Sequence, residues 1–509
     1  MVIKIIFLVV FFAVMVFVGL RSHKRVSNVN DFVLGGRQVG PWLTAFAFGT
    51  AYFSSVVFVG YAGQFGWRYG ISATWIGLGN AFIGSLMAWV VLGRRTRVMT
   101  NHLSASTMPE FFGKRYQSGA LKIVSSVIIF IFMVPYTASI YNGLSRLFEM
   151  AFDIPYEVCV IAMAVLTGVY VILGGYVAAA MNDFIQGVIM LIGIAAVIVS
   201  VLNGQGGFMA ALEKLASDPT VTGAATDSAI PGVYASFFGP DPMGLLSVII
   251  LTSLGTWGLP QMVHKFYAIK DEQAIKTGTV VSTVFALVVA GGSYFLGGFG
   301  RLFSDQSFIN GTEVQYDGIM PHMLSTLPDI LIGIVIVLVL SASMSTLASL
   351  VLTSSSTLTL DFIKGTFARN MSEKRQLTVL RSLIAFFIIL SVVIALDPPT
   401  FIAQLMGISW GAMAGAFLAP FLLGLYWKKV TKAAVWVSFA TGVGITVANL
   451  FFKFFSNSIV AGAVAMITGL VLVPIVSLLT PKLKKEHVEE CFACYDTAIK
   501  KKNAEEIVK

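Results

Sequence analysis

Ala342, Ser345, Thr346, Ser349, Thr353 and Ser356 fall at i, i+3, i+4, i+7, i+11 and i+14 of one stretch, so on a helix they share a face. The stretch is Ser341-Ala-Ser-Met-Ser-Thr-Leu-Ala-Ser-Leu-Val-Leu-Thr-Ser-Ser-Ser356, and the apolar run Ile330–Leu340 leads into it. A row of small side chains and hydroxyl oxygens without formal charge suits two kinds of chemistry. Small and hydroxylic residues let membrane helices approach closely and hydrogen-bond across the contact. The same neutral oxygens are what a hard alkali cation takes in preference to nitrogen or sulfur. The second use needs matching carbonyl oxygens from another helix that is interrupted.

Two stretches have the composition of an interrupted helix. Pro41-Trp-Leu-Thr-Ala-Phe-Ala-Phe-Gly-Thr50-Ala-Tyr-Phe-Ser-Ser55-Val-Val-Phe-Val-Gly60 packs Gly, Thr and Ser into its middle. Leu251-Thr-Ser-Leu-Gly255-Thr-Trp-Gly258-Leu-Pro260-Gln-Met-Val-His-Lys265 has two Gly and then a Pro that removes a backbone hydrogen bond. They are the second and seventh apolar spans, and they enter the membrane from opposite sides. Interrupted helices at corresponding places in two inverted halves mark the central site of secondary transporters. Unwound backbone survives at membrane depth only where its carbonyls face a cavity or a ligand. The carbonyls near Thr50 and Phe53 therefore supply the partner that the Ser345/Thr346 face requires, which favours the cation over simple helix packing.

The elements that must hold these residues are membrane helices. Of 509 residues 57% are hydrophobic and only 12% charged, and apolar runs of about twenty residues recur throughout. Thirteen spans are expected, near 2–20, 41–63, 70–92, 123–149, 155–175, 183–202, 244–264, 277–300, 328–360, 379–396, 400–426, 433–452 and 458–480. With the N-terminus outside and the C-terminus cytoplasmic, all of the 34 Lys and Arg except Lys4, Arg68, Arg146, Lys214, Arg301 and Lys453 lie on the inner side. The net charge of +9 is thus a topology signal in short loops and excludes a nucleic-acid-binding surface. Arg21-Ser-His-Lys-Arg25 directly follows the first span without a small-residue cleavage pattern, which reads as a retained helix. The tail 482–509 is charged and expected to be a solvated helix or disordered.

Other chemistries find little support. Cys491-Phe-Ala-Cys494 has the gap of a zinc half-site or redox pair, but the third cysteine is Cys159 and no second pair completes it. The histidines, His23, His102, His264, His322 and His487, are scattered, which argues against a membrane-embedded enzyme. No Gly-x-x-x-x-Gly-Lys-Ser/Thr pattern for ATP occurs, and no organic cofactor is expected.

Four further marks run through the chain in order. They are Asp31-Phe-Val-Leu-Gly-Gly-Arg37-Gln-Val-Gly40, Gly174-Gly-Tyr-Val-Ala-Ala-Ala-Met-Asn-Asp183-Phe-Ile-Gln186, Met344-Ser-Thr346 and Ala419-Pro-Phe-Leu-Leu-Gly424-Leu-Tyr-Trp427-Lys-Lys. On these the chain resembles the sodium:solute symporter family, which includes sodium–proline, sodium–pantothenate and sodium–glucose transporters. The resemblance implies an all-α integral plasma-membrane protein with the LeuT-type five-plus-five inverted repeat and two discontinuous helices. The leading helix would be 1–20, the repeats 41–202 and 244–426, and the trailing helices 433–480.

The resemblance also implies site residues. A coupling sodium ion would take the carbonyls of Thr50, Phe53 and Ala342 and the hydroxyls of Ser345 and Thr346. A second sodium or an ion pathway would use Asp183, Ser345 and Ser349, with Ala348 standing where another hydroxyl occurs in relatives. Asp183-Phe-Ile-Gln186 reads equally well as a helix start capped by Asp183. For the organic solute the resemblance points to Ser54, Ser55, Tyr136, Thr256, Trp257 and Pro260. No Lys or Arg is expected deep in the broken helices, so the solute is neutral, zwitterionic or monoanionic. A proline-like amino acid is favoured over pantothenate, another monocarboxylate or a sugar, and proton coupling through Asp183 is the rival to sodium. The partners are then a small solute, sodium and the lipid bilayer.

Overall fold

The structure is a computed structural model that describes residues 2–23, 28–217, 231–303, 309–310, 313–368 and 370–495. Helix is found in every one of the thirteen segments where the apolar runs call for it. Among the described residues nine helices are long and apolar enough to cross a membrane, and one bent pair makes a tenth. Asp218, Asp227 and Asp305, and the tail beyond 495, lie outside the described residues.

In chain order the elements are α1 (Val2–His23), α2 (Val29–Leu34), α3 (Pro41–Tyr52), α4 (56–69), α5 (74–102), α6 (Met108–Arg115) and α7 (Gly119–Phe152). There follow α8 (156–174), α9 (Gly175–Gly204), α10 (Phe208–Ser217), α11 (Pro242–Gly258), α12 (Pro260–Tyr267) and α13 (Glu272–Gly297). A short antiparallel strand pair, Ile309 with Val314 and Asn310 with Glu313, precedes α14 (Tyr316–Ser325). The chain ends with α15 (Asp329–Thr357, extended by a wider turn to Thr366), α16 (Glu373–Leu396), α17 (Ile402–Tyr426), α18 (Lys432–Phe452), α19 (Ser458–Leu479) and α20 (485–495).

The outer face is apolar. Val9, Phe17, Val90, Ile131, Val165, Ile192, Val280, Ile389, Val393 and Leu479 all stand exposed along the spans. Exposed apolar residues on so many helices require a lipid surround, not water. At the centre stands α15, buried on every side from Val335 to Thr357 and packed against α7, α9 and α1. Some of its hydroxyls are satisfied within the helix, where Ser356 donates to the Thr353 carbonyl and Thr357 to that of Ser354, while those of Ser341, Ser354 and Ser355 are buried without a hydrogen-bond partner among the described residues.

Two helices are broken. α3 stops because Phe53 is extended (φ −95°, ψ 128°), and the Ser54 carbonyl then accepts from the Val57 and Phe58 amides to start α4. α11 stops at extended Leu259, and Pro260, which has no amide hydrogen to lose, opens α12 at a 43° bend.

Two expectations are corrected. The span expected from 183 begins at Gly175, whose left-handed φ of 57° places Phe32 atoms 3.0 Å from where a Cβ would stand. A residue with a side chain is strained there, and the glycine lets α8 turn into α9. Asp183 therefore sits two turns inside α9 and caps nothing. The tail, expected to be solvated, is docked as far as it is described. In α20 Val488, Cys491, Phe492 and Cys494 are buried, Arg115 lies 5.0 Å from the Phe492 ring, and the Tyr495 hydroxyl donates to the Leu425 carbonyl at 3.2 Å. Burial raises both cysteine thiols, that of Cys494 to about 11. They are held as thiols beside His487, whose Nε2 is 3.4 Å from Cys491 Sγ.

Candidate ion and solute site

The break in α3 faces the hydroxyl stripe of α15. Ser345 Oγ donates to Thr50 Oγ1 at 2.8 Å. Around Thr346 Oγ1 lie four carbonyl oxygens, those of Thr50 at 3.4 Å, Ala51 at 3.3 Å, Phe53 at 3.1 Å and Ala342 at 3.1 Å. One hydroxyl carries one proton, so it can satisfy one of the four at a time. The remaining carbonyls turn their lone pairs toward the same point in a region where every residue named is buried. Two features of the chain produce this crowding. Phe53 leaves the helix and frees carbonyls from the α3 ladder, and Gly187 on α9 lets α3 approach, since a Cβ there would strike the Phe46 ring. A cluster of neutral oxygens with too few protons is a donor set for a hard monovalent cation. The carbonyl of Ala51 joins the set without having been expected.

The remaining anticipated positions fall into separate groups. Asp183 is fully buried, with Lys265 Nζ 3.7 Å from its Oδ2, and Lys265 donates to Ser349 Oγ at 2.9 Å. The expectation that no Lys or Arg reaches deep into the broken helices is thereby corrected, because Lys265 of α12 is 2% exposed. Its position at the end of an apolar segment concealed this: the bend at Leu259 turns α12 inward toward Asp183. Ser55 amide donates to Ser343 Oγ, and its hydroxyl to the Ile140 carbonyl. Ser54 Oγ accepts from the Val56 amide. Thr256 Oγ1 is shared between the Gly84 and Ser253 carbonyls, and Trp257 Nε1 donates to the Ile83 carbonyl at 3.0 Å. Both of these side chains are thus engaged with α5. Pro260 is buried at the start of α12.

Tyr136 belongs to a cluster that sequence reasoning otherwise missed. The hydroxyls of Tyr52, Tyr61, Tyr136 and Tyr294, with Trp410 Nε1 and Asn80 Nδ2, are buried and form no hydrogen bond among the described residues. The four tyrosines lie within electrostatic reach of one another. Tyr136 comes near Ser54 and Trp410, Tyr52 near Thr252, and Tyr294 near Asn80, each short of bonding geometry. Trp410 stands 5.9 Å from both the Tyr52 and the Tyr136 ring. Buried Tyr and Trp nearly always bond their polar ends, so unused donors pointing inward from α3, α4, α7, α13 and α17 suit a polar guest. The available signal was Tyr within apolar spans, which by itself resembles ordinary packing.

Cavities lie at the two ends of the bundle. One of ≈ 580 Å³ is lined by Asn142, Arg146, Asp317 and Phe401, and one of ≈ 390 Å³ by Glu110, Lys122, Asp361 and Lys364. Lys122 and Arg146 are on the same helix, 24 residues apart, which separates the cavities by about 36 Å.

Comparison with known proteins decides the family. The model of the sodium:solute symporter family matches residues 32–442. The chain belongs to the sodium:solute symporter family. It is 29% identical over 436 residues to the osmoregulated proline transporter OpuE of Bacillus subtilis, covering 84% of this chain and 85% of that one. It is also 29% identical over 493 residues to a sodium/proline symporter of Staphylococcus aureus, covering 94% and 93%. Among solved structures it resembles a Na+-coupled sialic acid symporter in a substrate-bound, outward-open state (TM-score 0.75, 17% identity, 95% and 98% covered). It also resembles Mhp1, a nucleobase-cation-symport-1 family transporter (TM-score 0.52, 12% identity, 90% and 97% covered). The fold is accordingly the all-α LeuT type with two discontinuous helices, and this integral membrane symporter is a transporter and not an enzyme.

Proposed function

We propose that this symporter couples one sodium ion to the uptake of a zwitterionic amino acid, proline foremost, by alternating access. The observation that carries the proposal is the convergence of the Thr50, Ala51, Phe53 and Ala342 carbonyls on Thr346, beside the Ser345–Thr50 contact. Sodium would be held by the carbonyls of Thr50, Phe53 and Ala342 and the hydroxyls of Ser345 and Thr346. It would tie the first broken helix to α15, and its loss to a low-sodium cytoplasm would release that tie. The halves 41–202 and 244–426 would rock about this site with the N-terminus outside, exposing in turn the cavities at Asp317 and Asp361.

The solute is assigned to the tyrosine cluster, together with Ser54, Ser55 and the helix breaks. An ammonium is attracted to the aromatic faces of Tyr52, Tyr136 and Trp410. A carboxylate takes the idle hydroxyl donors and the N-terminal ends of the half-helices. The likeness to proline transporters of Bacillus subtilis and Staphylococcus aureus supports proline within this class. One charge falling through 100 mV supplies about 2.3 kcal/mol, and a tenfold sodium gradient about 1.4 kcal/mol. One ion then sustains a solute gradient of about 500-fold.

The test is uptake of labelled proline by proteoliposomes in sodium against choline buffer at fixed pH. Sodium-dependent uptake is expected. Equal rates in the two buffers would remove the sodium reading, and sodium-driven uptake of another amino acid with none of proline would remove the solute assignment alone.

A further inference from the structure

Beside the proposed sodium site stands a second cation, and it is part of the chain. Lys265 lies in the last turn of α12 with its ammonium 2.9 Å from Ser349 Oγ, 3.7 Å from Asp183 Oδ2 and 5.2 Å above the Tyr176 ring. Ser345 reaches toward the same carboxylate from α15. Asp183, Ser345 and Ser349 are all buried. They surround a position one helical turn along α15 from Thr346.

A carboxylate with two hydroxyls is an all-oxygen, singly negative donor set, suited to a hard monovalent cation. Neither Asp183 oxygen receives a well-formed hydrogen bond from the described residues, and a buried carboxylate without a counter-charge is strongly disfavoured. The counter-charge within reach is the Lys265 ammonium. A lysine ammonium is a compact point charge on a flexible stem, closer to an alkali ion than a planar guanidinium would be.

We propose that Lys265 is a tethered cation that fills the ion position formed by Asp183, Ser345 and Ser349, so that the protein binds one sodium ion and not two. The inference rests on the reading of Ser345 and Thr346 as the coupling-ion site. Both broken helices are then bound to one face of α15 through a positive charge. α3 is held by an ion that comes and goes, and α12 by one that never leaves.

The test is equilibrium binding of ²²Na⁺ to the purified full-length protein at fixed pH, with folding followed by thermal unfolding. One ion per chain is expected for the wild type and for Lys265→Arg. Lys265→Met should bind two, and Lys265→Met combined with Asp183→Asn should return to one. Two ions on the wild type would overturn the inference while leaving sodium coupling intact, and this measurement needs no variant. A folded Lys265→Met that binds only one would overturn it equally. A wild type that binds none would overturn the coupling-ion reading itself and the inference with it.

Discussion

Removing the Thr346 hydroxyl tests the ion site at its most crowded point. Thr346→Ala deletes one proposed sodium ligand and leaves the carbonyls of Thr50, Ala51, Phe53 and Ala342 to face one another without the proton they share. A hydrogen bond or ligand contact to a charged group is worth about 1.5–3 kcal/mol, which corresponds to a rise of about ten- to a hundredfold in the sodium concentration for half-maximal transport. Solute affinity at saturating sodium should change little, because Thr346 points at the α3 break and not at the tyrosine cluster. The assay is initial uptake by proteoliposomes across a sodium series. Ser345→Ala should shift the curve in the same direction, and Thr346→Ser, which keeps the oxygen, should largely restore it. A hydroxyl that merely joined α3 to α15 would lower the unfolding temperature without moving the sodium curve. Unchanged sodium activation in both alanine variants would refute the assignment.

Two other sites yield predictions of different kinds. In the cavity at one end of the bundle, Asp317 accepts from the Ile402 amide at 3.1 Å while its other oxygen is buried without a hydrogen-bond partner among the described residues. Burial raises this carboxyl to about 6, against its attraction to Arg146. The folded state thus prefers the protonated acid, and its contribution to stability is present at low pH and is lost as pH rises from about 4 through about 6. Unfolding temperatures of the wild type and Asp317→Asn in detergent should therefore diverge in favour of the variant over that window, and a gap independent of pH would contradict it. In the tyrosine cluster, Tyr136→Phe and Tyr294→Phe remove hydroxyls that bond nothing among the described residues. Both should leave stability within about 0.5 kcal/mol and sodium activation unchanged, while raising the solute concentration for half-maximal uptake severalfold. A marked loss of stability with unaltered solute affinity would identify these hydroxyls as structural.

The course of the helices was legible because bilayer length and hydropathy dictate it, and the orientation expected from Lys and Arg follows the same logic. The broken helices were legible for local reasons: Gly255, Gly258 and Pro260 weaken one, and Gly49, Thr50, Ser54 and Ser55 the other. The stripe on α15 was visible from a period of 3.6 residues. What could not be read was side-chain direction across long sequence separations. Lys265 looked like a cytoplasmic flank because charge after an apolar run normally is one; only the bend at Leu259 carries it to Asp183, 82 residues earlier. The cap reading of Asp183 arose because Gly175 conceals where α9 starts. Tyr52, Tyr61, Tyr136 and Tyr294 come from four different helices, and no periodicity links them.

The two cation positions make one argument about driving force. A second mobile sodium would roughly square the attainable gradient, from about 500-fold to above 10⁵-fold under the same potential and sodium ratio. The same squaring applies to the sodium dependence of the rate, which would then fall steeply wherever sodium is scarce. A fixed ammonium beside Asp183 would forgo that power but would keep a counter-charge beside the buried carboxylate without a second ion. The empty carrier would then cross with Asp183 already paired, and the one exchangeable charge would be the ion proposed between α3 and α15. On this reasoning the residue at position 265 would set the thermodynamic ceiling of the transporter.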